Sequence, residues 1–229
     1  MITNSLQLVE IQSSALQACE RTDTQPTTAD IDMSDRQKWA LALLISLLCT
    51  AAAYFWIDRP VALLMHNELA GYRAIFDAAA RLPKVLGPLV VAYTCLVGGW
   101  VVMGKRMTGI QTVIVLSALS WAVSDVPENW FKLAFGRTWP ETWAQDNPSL
   151  IRDGVDSFNP FHGGPGFSAF PSGHMVAICA IMSVYWICWV RFRVVYAICV
   201  AATFFGLLGA NYHFVSDLIA GSLLGTVAD

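Results

Sequence analysis

Six apolar runs along the chain approach the length of a membrane span, and polar connections separate them. The runs cover residues 39–57, 85–103, 109–126, 172–190, 192–210 and 214–227. A transmembrane helix needs about 20 predominantly apolar residues, because each residue advances about 1.5 Å through a hydrocarbon layer about 30 Å thick. The pattern therefore predicts an all-α polytopic membrane bundle with about six transmembrane helices. The last run is short and stops with the chain, so we expect its helix to be truncated.

The connection between the first two runs, residues 60–84, has a different pattern. Its polar residues His66, Arg73, Asp77 and Arg81 recur at helical spacing, with apolar residues between them. A helix with one polar and one apolar face lies stably along a membrane surface. The pattern predicts an interfacial helix here, with His66 as an ordinary residue of its polar face.

The first 35 residues lack this apolar character. They are rich in Thr, Ser, Gln and Asp, and they contain no apolar run of signal-peptide length. This composition predicts a disordered tail over residues 1–35 and a membrane domain over residues 36–229. Met33 directly precedes the first predicted helix and is an alternative start of translation. We expect the first apolar run itself to direct insertion.

Composition places the whole chain in the membrane class. It has 229 residues, of which 55% are hydrophobic and 14% charged, and its mean hydropathy is +0.51. Soluble domains carry far more charge. The net charge of −3 and the lack of basic runs in the sequence argue against nucleic acid as a partner. Five of the six cysteines fall inside apolar runs, so we interpret them as small hydrophobic residues.

The distribution of basic residues predicts an orientation. Two short connections and the segment before the first run carry Arg36, Lys38, Lys105, Arg106, Arg191 and Arg193. Cytoplasmic segments are enriched in Lys and Arg, so these three segments should face the cytoplasm. The longer connections, residues 59–84 and 127–171, and the junction at 211–213 should then face the opposite side.

Three of the four histidines, His162, His174 and His213, fall on that opposite side. His174 belongs to the segment FPSGH, in which Ser172 can cap the fourth predicted helix and Gly173 lies in its first turn. Unpaired N–H groups and the helix dipole make such an N-terminus attractive to an anion, and phosphate is the natural ligand. The alternative is that Pro and Ser simply start a helix and His174 decorates the interface.

A histidine and an acid share one helix face at the start of the sixth run, in NYHFVSDLIAG. His213 and Asp217 are four residues apart, and Gly221 follows after four more. A carboxylate beside an imidazole fixes its tautomer and stabilises positive charge on the ring, which a nucleophilic histidine requires. The glycine would allow close helix packing. The alternative is a structural pair that neutralises two polar groups.

The end of the third run offers cations, in NWFKLAFGRTWPETW. Lys132 and Arg137 are five residues apart, which places their side chains about 140° apart on an ideal helix. They can converge on one ligand only if the helix breaks at Gly136. Alternatively, Lys132 pairs with Glu128 or extends to the lipid headgroups.

In this order, the three segments resemble the motifs of the type 2 phosphatidic acid phosphatase superfamily of membrane lipid phosphatases. That family has a lysine, six residues and arginine-proline; then proline-serine-glycine-histidine; then serine-arginine, five residues, histidine, three residues and aspartate. The matching positions here are Lys132, Pro140, Pro171, Ser172, Gly173, His174, His213 and Asp217. The resemblance extends over roughly the whole membrane portion of the chain.

Two departures from these motifs concern the arginines that would hold phosphate in the family. Trp139 stands where the first motif has arginine, and Gly206 and Leu207 stand where the third has serine-arginine. Removing one preorganised donor typically costs roughly a hundred- to a thousand-fold in rate, so a substitute is needed. We expect Arg137 to be that substitute, with Arg152 of the long loop as second choice.

The resemblance implies a metal-independent phosphatase without cofactors, acting on a lipid phosphate or diphosphate. His213, oriented by Asp217, would attack phosphorus and form a phosphohistidine, while His174 protonates the leaving group. The phosphate oxygens would be held by residues of the motifs and of the glycine-rich loop NPFHGGPGF: Lys132, Arg137, Ser172, Gly173, His162 and Arg152. Two histidines and one aspartate are also few for a zinc site.

Two other functions would use the same residues. A lipid phosphoryl transferase would pass the group to another lipid, and a non-catalytic protein of this fold would bind a lipid headgroup. The two missing arginines support the non-catalytic hypothesis, whereas both histidines and Asp217 argue against it. A haloperoxidase fits poorly because the site lies among membrane spans. The phosphatase would lie in the cell inner membrane, with its active site on the non-cytoplasmic face.

Overall fold

The computed structural model describes residues 35–143 and 146–227, and within these ranges it contains helices and isolated bridges but no strand. The helices are α1 Asp35–Ala52, α2 Asp58–Leu69, α3 Arg73–Ala80, α4 Leu82–Val102, α5 Gly109–Phe135, α6 Leu150–Asp153, α7 Gly173–Cys188, α8 Arg193–Gly209 and α9 Val215–Val227. A π-helical turn, Ala53–Ile57, joins α1 to α2. The predicted tail lies outside the described residues except for Asp35, at which α1 begins. Residues 228–229, on which the predicted truncation depends, also lie outside them.

Three helical stretches in the described part of the chain are long and apolar enough to cross a membrane: Arg36–Val102, Gly109–Phe135 and Val190–Gly209. The first includes α1 to α4, so it covers two of the predicted spans. The other two predicted spans are the shorter apolar helices α7 and α9. Large apolar side chains on α1, α4, α5 and α8 are exposed on the outside of the bundle, where acyl chains would cover them. The predicted all-α membrane bundle is confirmed.

Helix α7 forms the centre of the bundle and packs against α5, α8 and α9. Its residues from Met175 to Met182 are all buried. Helix α9 approaches α7 closely, because a Cβ atom added to Gly221 would lie 2.5 Å from the carbonyl oxygen of Ser172. A Cβ atom added to Gly225 would likewise lie 2.4 Å from the carbonyl oxygen of Val176. Small residues permit such backbone approaches in membrane bundles, and the close packing predicted at Gly221 is present.

The predicted interfacial segment is helical and divides into α2 and α3, which are separated by a 3₁₀ turn at Ala70–Tyr72. Helix α3 packs against α8. A Cβ atom added to Gly206 of α8 would lie 2.6 Å from the backbone nitrogen of Ala80, and one added to Gly209 would lie 2.3 Å from the ring of Phe76. The two glycines of α8 therefore let the surface segment pack directly onto the bundle.

Helix α5 starts and ends at local signals. At its start, Thr108 and Gln111 form a capping box, in which each side chain accepts a hydrogen bond from the backbone N–H of the other. At its end, Gly136 adopts φ 55°, and a Cβ atom there would lie 1.9 Å from the carbonyl oxygen of Asn159. Only glycine fits this position. The helix thus continues nine residues beyond the predicted end at 126 and delivers Lys132 to the functional end of the bundle.

Candidate functional site

The three sequence segments meet at one end of the bundle, where α5 ends and where α7 and α9 begin. His174 lies in the first turn of α7, and His213 lies just before α9. Their ring centroids are 6.2 Å apart and the ring planes are inclined at 65°. The two imidazoles therefore lie next to each other at this end of the bundle.

Asp217 lies behind His213, as the spacing of four residues predicts. Oδ2 of Asp217 is 3.6 Å from Nδ1 of His213 and accepts a 3.0 Å hydrogen bond from the backbone N–H of Phe214. Both side chains are buried. A separation of 3.6 Å is an ionic contact rather than a hydrogen bond, and Nδ1 has no hydrogen-bond partner among the described residues. The carboxylate of Asp217 therefore faces Nδ1 of the His213 ring.

Arg137 is fully buried next to this pair, and carboxylates surround it. Nη1 donates to Oδ1 of Asp217 and to the hydroxyl of Ser216, both at 2.6 Å. Nη2 donates to Asp58 at 2.8 Å and to Asp156 at 3.1 Å. The guanidinium thereby joins α2, α9 and the long loop that connects α5 to α7. We call Arg137, Asp58, Asp156, Ser216 and Asp217 the arginine cluster.

The arginine cluster keeps the guanidinium charged. Burial alone would lower the pKa of Arg137, but the charges of Asp217, Asp58 and Asp156 raise it above its ordinary value. Aromatic rings complete the enclosure, since the guanidinium carbon lies 5.1 Å from the ring centres of Tyr54 and Phe158 and 4.2 Å from that of Phe214. Both terminal nitrogens are thus committed to protein oxygens, which leaves little of this cation for a phosphate.

Three members of the arginine cluster, Asp58, Asp156 and Ser216, occupy no motif position that we recognised in the sequence. Asp58 accepts hydrogen bonds from the backbone N–H and the hydroxyl of Ser216 and from Arg137. The signal for Asp58 is a single acid directly after the apolar run that ends in YFWI. A charge at the end of a span is often functional, but sequence alone does not identify its partners.

Ser172 occupies the N-cap position of α7, as predicted, but its hydroxyl does not cap the helix. The hydroxyl is fully buried and has no hydrogen-bond partner in the described part of the chain. The backbone N–H of Ser172 instead donates to the carbonyl oxygen of Asp217 at 3.1 Å, which fixes the start of α7 against α9. A polar atom left in this way at a helix N-terminus is available to a ligand.

Lys132 and Arg137 do not converge, although the helix does break at Gly136. Lys132 forms an ion pair with Glu128 one turn earlier on α5, which is the alternative that the spacing also allowed. Arg137 points into the arginine cluster instead. Lys132 also lines a pocket of about 240 Å³, together with Asn129, Leu133, Gly163, Gly164, Phe167 and Ser168. Of these two cations, Lys132 is therefore the one that faces open space.

Apolar groups occupy the positions of the two missing motif arginines. The indole ring of Trp139 lies over His213 with ring centroids 5.1 Å apart, and its N–H donates to the carbonyl oxygen of Pro165 at 2.8 Å. Leu207 is fully buried in the apolar core. Gly206 contacts α3, as described above. No cation among these residues replaces the arginines that the motifs would provide.

Two other residues predicted for the phosphate site, His162 and Arg152, make their contacts within the long loop. The ring of His162 is exposed and packs against Phe167, with ring centroids 3.7 Å apart. Arg152 is bound by Asp146 and Asp153. These carboxylates raise the pKa of Arg152, the largest contribution coming from the hydrogen bond to Asp153. The two residues thus stabilise the loop, and their role toward a ligand stays a prediction.

Within residues 35–143 and 146–227, no group of three potential ligands is placed to hold a metal ion. The chemistry of the site therefore rests, in the described part of the chain, on two imidazoles, buried carboxylates, a lysine and the N-terminus of α7. This set suits nucleophilic and acid–base chemistry at an anionic group.

Comparison with known proteins agrees with this arrangement. Residues 113–228 match the model of the PAP2 superfamily, and they include all three motif segments. A lipid A 1-phosphatase of Rhizobium etli is 31% identical over 170 residues, which are 74% of this chain and 60% of that protein. A lipid A 1-phosphatase of Rhizobium johnstonii is also 31% identical over 170 residues, which are 57% of its length. The chain thus spans about 60% of the length of these relatives. No solved structure matches.

The family model covers half of the chain, from near the start of α5 to the end of α9, and it contains both histidines, Asp217 and the Lys132 segment. The departures at Trp139, Gly206 and Leu207 lie inside the same range. The chain belongs to the type 2 phosphatidic acid phosphatase (PAP2) superfamily.

Proposed function

We propose that the protein is an integral membrane phosphatase that hydrolyses a lipid phosphate or diphosphate. The observation that carries this proposal is the convergence of His174, His213 and Asp217 at the N-terminus of α7, with 6.2 Å between the imidazole centres. The names of the two rhizobial relatives support a lipid phosphate as substrate, and a lipid A 1-phosphate is the first compound to test.

In the proposed reaction, Nε2 of His213 attacks phosphorus and the bond from phosphorus to the lipid oxygen breaks. His174 supplies the proton that the leaving oxygen takes up. Asp217 stabilises the positive charge that develops on His213. Water then attacks the phosphohistidine, with His174 as the base that receives its proton, and releases inorganic phosphate. The proposal involves no metal ion or cofactor.

Binding of the phosphate oxygens would fall to the start of α7 and to Lys132. The free hydroxyl of Ser172 and the N–H groups of the first turn, beginning with Gly173, can donate to an anion. Arg137 contributes differently from our sequence-based expectation. Because its terminal nitrogens are bound to Asp58, Asp156, Ser216 and Asp217, we propose that it positions Asp217 instead of contacting phosphate.

We further propose that the site faces the non-cytoplasmic side of the inner membrane. The basic residues in the first turn of α1, between α4 and α5, and at the junction of α7 and α8 all lie at the end of the bundle opposite to the site. The positive-inside rule assigns that basic end to the cytoplasm. The lipid substrate would reach the site from the opposite leaflet.

Two alternative functions, a phosphoryl transferase and a non-catalytic lipid-binding protein, differ from the phosphatase in different ways. A phosphoryl transferase would form the same phosphohistidine and differ only in the acceptor, so product analysis distinguishes it. Two features of the site favour a non-catalytic lipid-binding protein. Apolar groups fill both positions of the motif arginines, and carboxylates enclose Arg137. This second function predicts headgroup binding without turnover.

The test is phosphate release by the purified protein in excess chelator. Substrates should include lipid A 1-phosphate, phosphatidate, phosphatidylglycerophosphate and a polyprenyl diphosphate. We expect release from at least one of them and its loss to background in His213→Ala, because the nucleophile is gone. His66→Ala is the control, since His66 lies on α2 and contacts Glu141. Equal release by wild type and His213→Ala would overturn the catalytic assignment.

A further inference from the structure

We propose that the carboxylate of Glu128 occupies the anion position at the N-terminus of α7 and competes with phosphate for Lys132, so that Glu128 limits the affinity of the site for phosphate. The proposal rests on the proposed function in one respect, which is that it assigns this position to the substrate phosphate. Glu128 belongs to none of the family motifs identified above, and it lies one helical turn before Lys132 on α5.

The contact between Glu128 and the start of α7 is very close. A Cβ atom added to Gly173 would lie 2.3 Å from Oε1 of Glu128 and 3.1 Å from Nζ of Lys132. The ion pair from α5 therefore lies directly against the backbone of Gly173. The carboxylate sits beside the first residue of α7, where helix N–H groups and the positive end of the helix dipole attract negative charge.

Burial shows that this carboxylate is part of the site and not of the bundle surface. The side chain of Glu128 is 6% exposed and that of Lys132 is 24% exposed. A buried carboxylate is stable only when a charge or hydrogen bonds compensate it, and Lys132 provides that compensation here. Lys132 is consequently not a free cation in this state of the protein.

A second observation indicates that the position is built for a larger anion. The Ser172 hydroxyl at the same helix start is fully buried and makes no hydrogen bond within the described residues. A single glutamate carboxylate thus leaves a donor unused at this point. A phosphate group has more oxygens and could engage Ser172, the α7 N–H groups and Lys132 together.

The charges around the site explain why competition between Glu128 and phosphate for Lys132 would affect phosphate binding. Four carboxylates, those of Asp58, Asp156, Asp217 and Glu128, surround the two cations Arg137 and Lys132. A phosphate entering this environment meets an excess of negative charge, with no motif arginine to offset it. Binding therefore requires Lys132 to exchange the Glu128 carboxylate for a phosphate oxygen, and Glu128 sets the cost of that exchange.

The experiment compares the affinity for inorganic phosphate and orthovanadate of wild type and Glu128→Gln, measured by calorimetry on the detergent-solubilised protein. The amide has the same shape but no charge, so Lys132 becomes available to the anion. We expect the variant to bind both anions at least tenfold more tightly. Glu141→Gln is the matched control, because Glu141 is also a largely buried carboxylate but pairs with Arg73 and His66 instead of Lys132.

The shorter variant Glu128→Asp covers the possibility that Glu128→Gln does not fold. It keeps the charge that Lys132 needs but withdraws the carboxylate from Gly173, and it should tighten anion binding in the same direction. Unchanged or weaker binding in a folded Glu128 variant would overturn the proposal. Lipid turnover is measured separately. Tighter anion binding by the Glu128 variants, together with no lipid turnover by the wild type, would support the role of Glu128 and reject the phosphatase. Lipid turnover by the wild type, together with unchanged anion affinity in the variants, would support the phosphatase and reject the role of Glu128.

Discussion

At the scale of single residues, the main feature of the site is that the guanidinium of Arg137 binds carboxylates of the protein. Its terminal nitrogens join Asp217 to Asp58 and Asp156, which come from distant parts of the chain. The guanidinium therefore holds one oxygen of Asp217 while the other faces His213. A mispositioned Asp217 would leave the imidazole without its electrostatic partner.

We predict that Arg137→Ala lowers activity at least tenfold more than Arg152→Ala. Loss of Arg137 removes the cation that three buried carboxylates share, and breaking a buried ion pair typically costs about 3–5 kcal/mol. We therefore also expect a large fall in the unfolding temperature of Arg137→Ala in detergent. Arg152 pairs with Asp146 and Asp153 at the protein surface, so its loss should change stability little. A larger effect of Arg152→Ala on activity would show that the long loop provides the anion contact.

At the scale of helices, the packing of α3 against α8 accounts for the altered third motif. Gly206 leaves no space for a side chain beside Ala80, and Leu207 is part of the apolar core. The serine and arginine of the family motif would therefore meet backbone at one position and apolar side chains at the other. The packing of helix α3 is therefore compatible with Gly206 and Leu207 but not with the serine and arginine of the family motif.

We predict that Gly206→Ser destabilises the protein by about 1–3 kcal/mol, the usual cost of overpacking, because the new Cβ would lie 2.6 Å from the backbone nitrogen of Ala80. Gly98→Ser on α4 is the matched control, since a Cβ at Gly98 has no neighbour within 4 Å. Thermal unfolding in detergent measures both. We also expect that Gly206→Ser combined with Leu207→Arg does not raise activity. A gain in activity from the double variant would show that this packing is not obligatory.

At the scale of the whole molecule, the short basic connections lie at one end of the bundle and His174 and His213 lie at the other. Helix α5 connects them, and its 27 residues span about 40 Å at about 1.5 Å per residue. Lys105 and Arg106 precede its first turn, whereas Lys132 lies in its last turns. The proposed orientation in the membrane depends on this separation of the two ends.

We predict that a membrane-impermeant maleimide labels Phe161→Cys, but not Lys105→Cys, from the non-cytoplasmic side, in a background without the natural cysteines. Phe161 is exposed in the long loop near the site, and Lys105 is exposed in the connection between α4 and α5. Labelling of each cysteine therefore shows on which side of the membrane that end of the bundle lies. Labelling after permeabilisation provides the control for Lys105→Cys. The reverse pattern would place the site in the cytoplasm.

Much of the architecture follows from local sequence. The apolar runs predict helices because hydrocarbon leaves backbone N–H and C=O groups no partner outside their own helix. The spacing of His213 and Asp217 predicts their contact, because residues four apart share a helix face. The PSGH segment predicts the start of α7, since proline and serine are typical of helix N-termini.

The partners of the charged residues depend on packing across the whole chain. Arg137 binds Asp58, which is 79 residues away, because the start of α2 and the loop that follows α5 come together in the bundle. Glu128 lies against Gly173, and Trp139 lies over His213, for the same reason. Periodicity specifies which residues share one helix face, but the contacts between faces of different helices arise only when the helices pack. That packing encloses the predicted phosphate-binding arginine with carboxylates and places Glu128 against the start of α7.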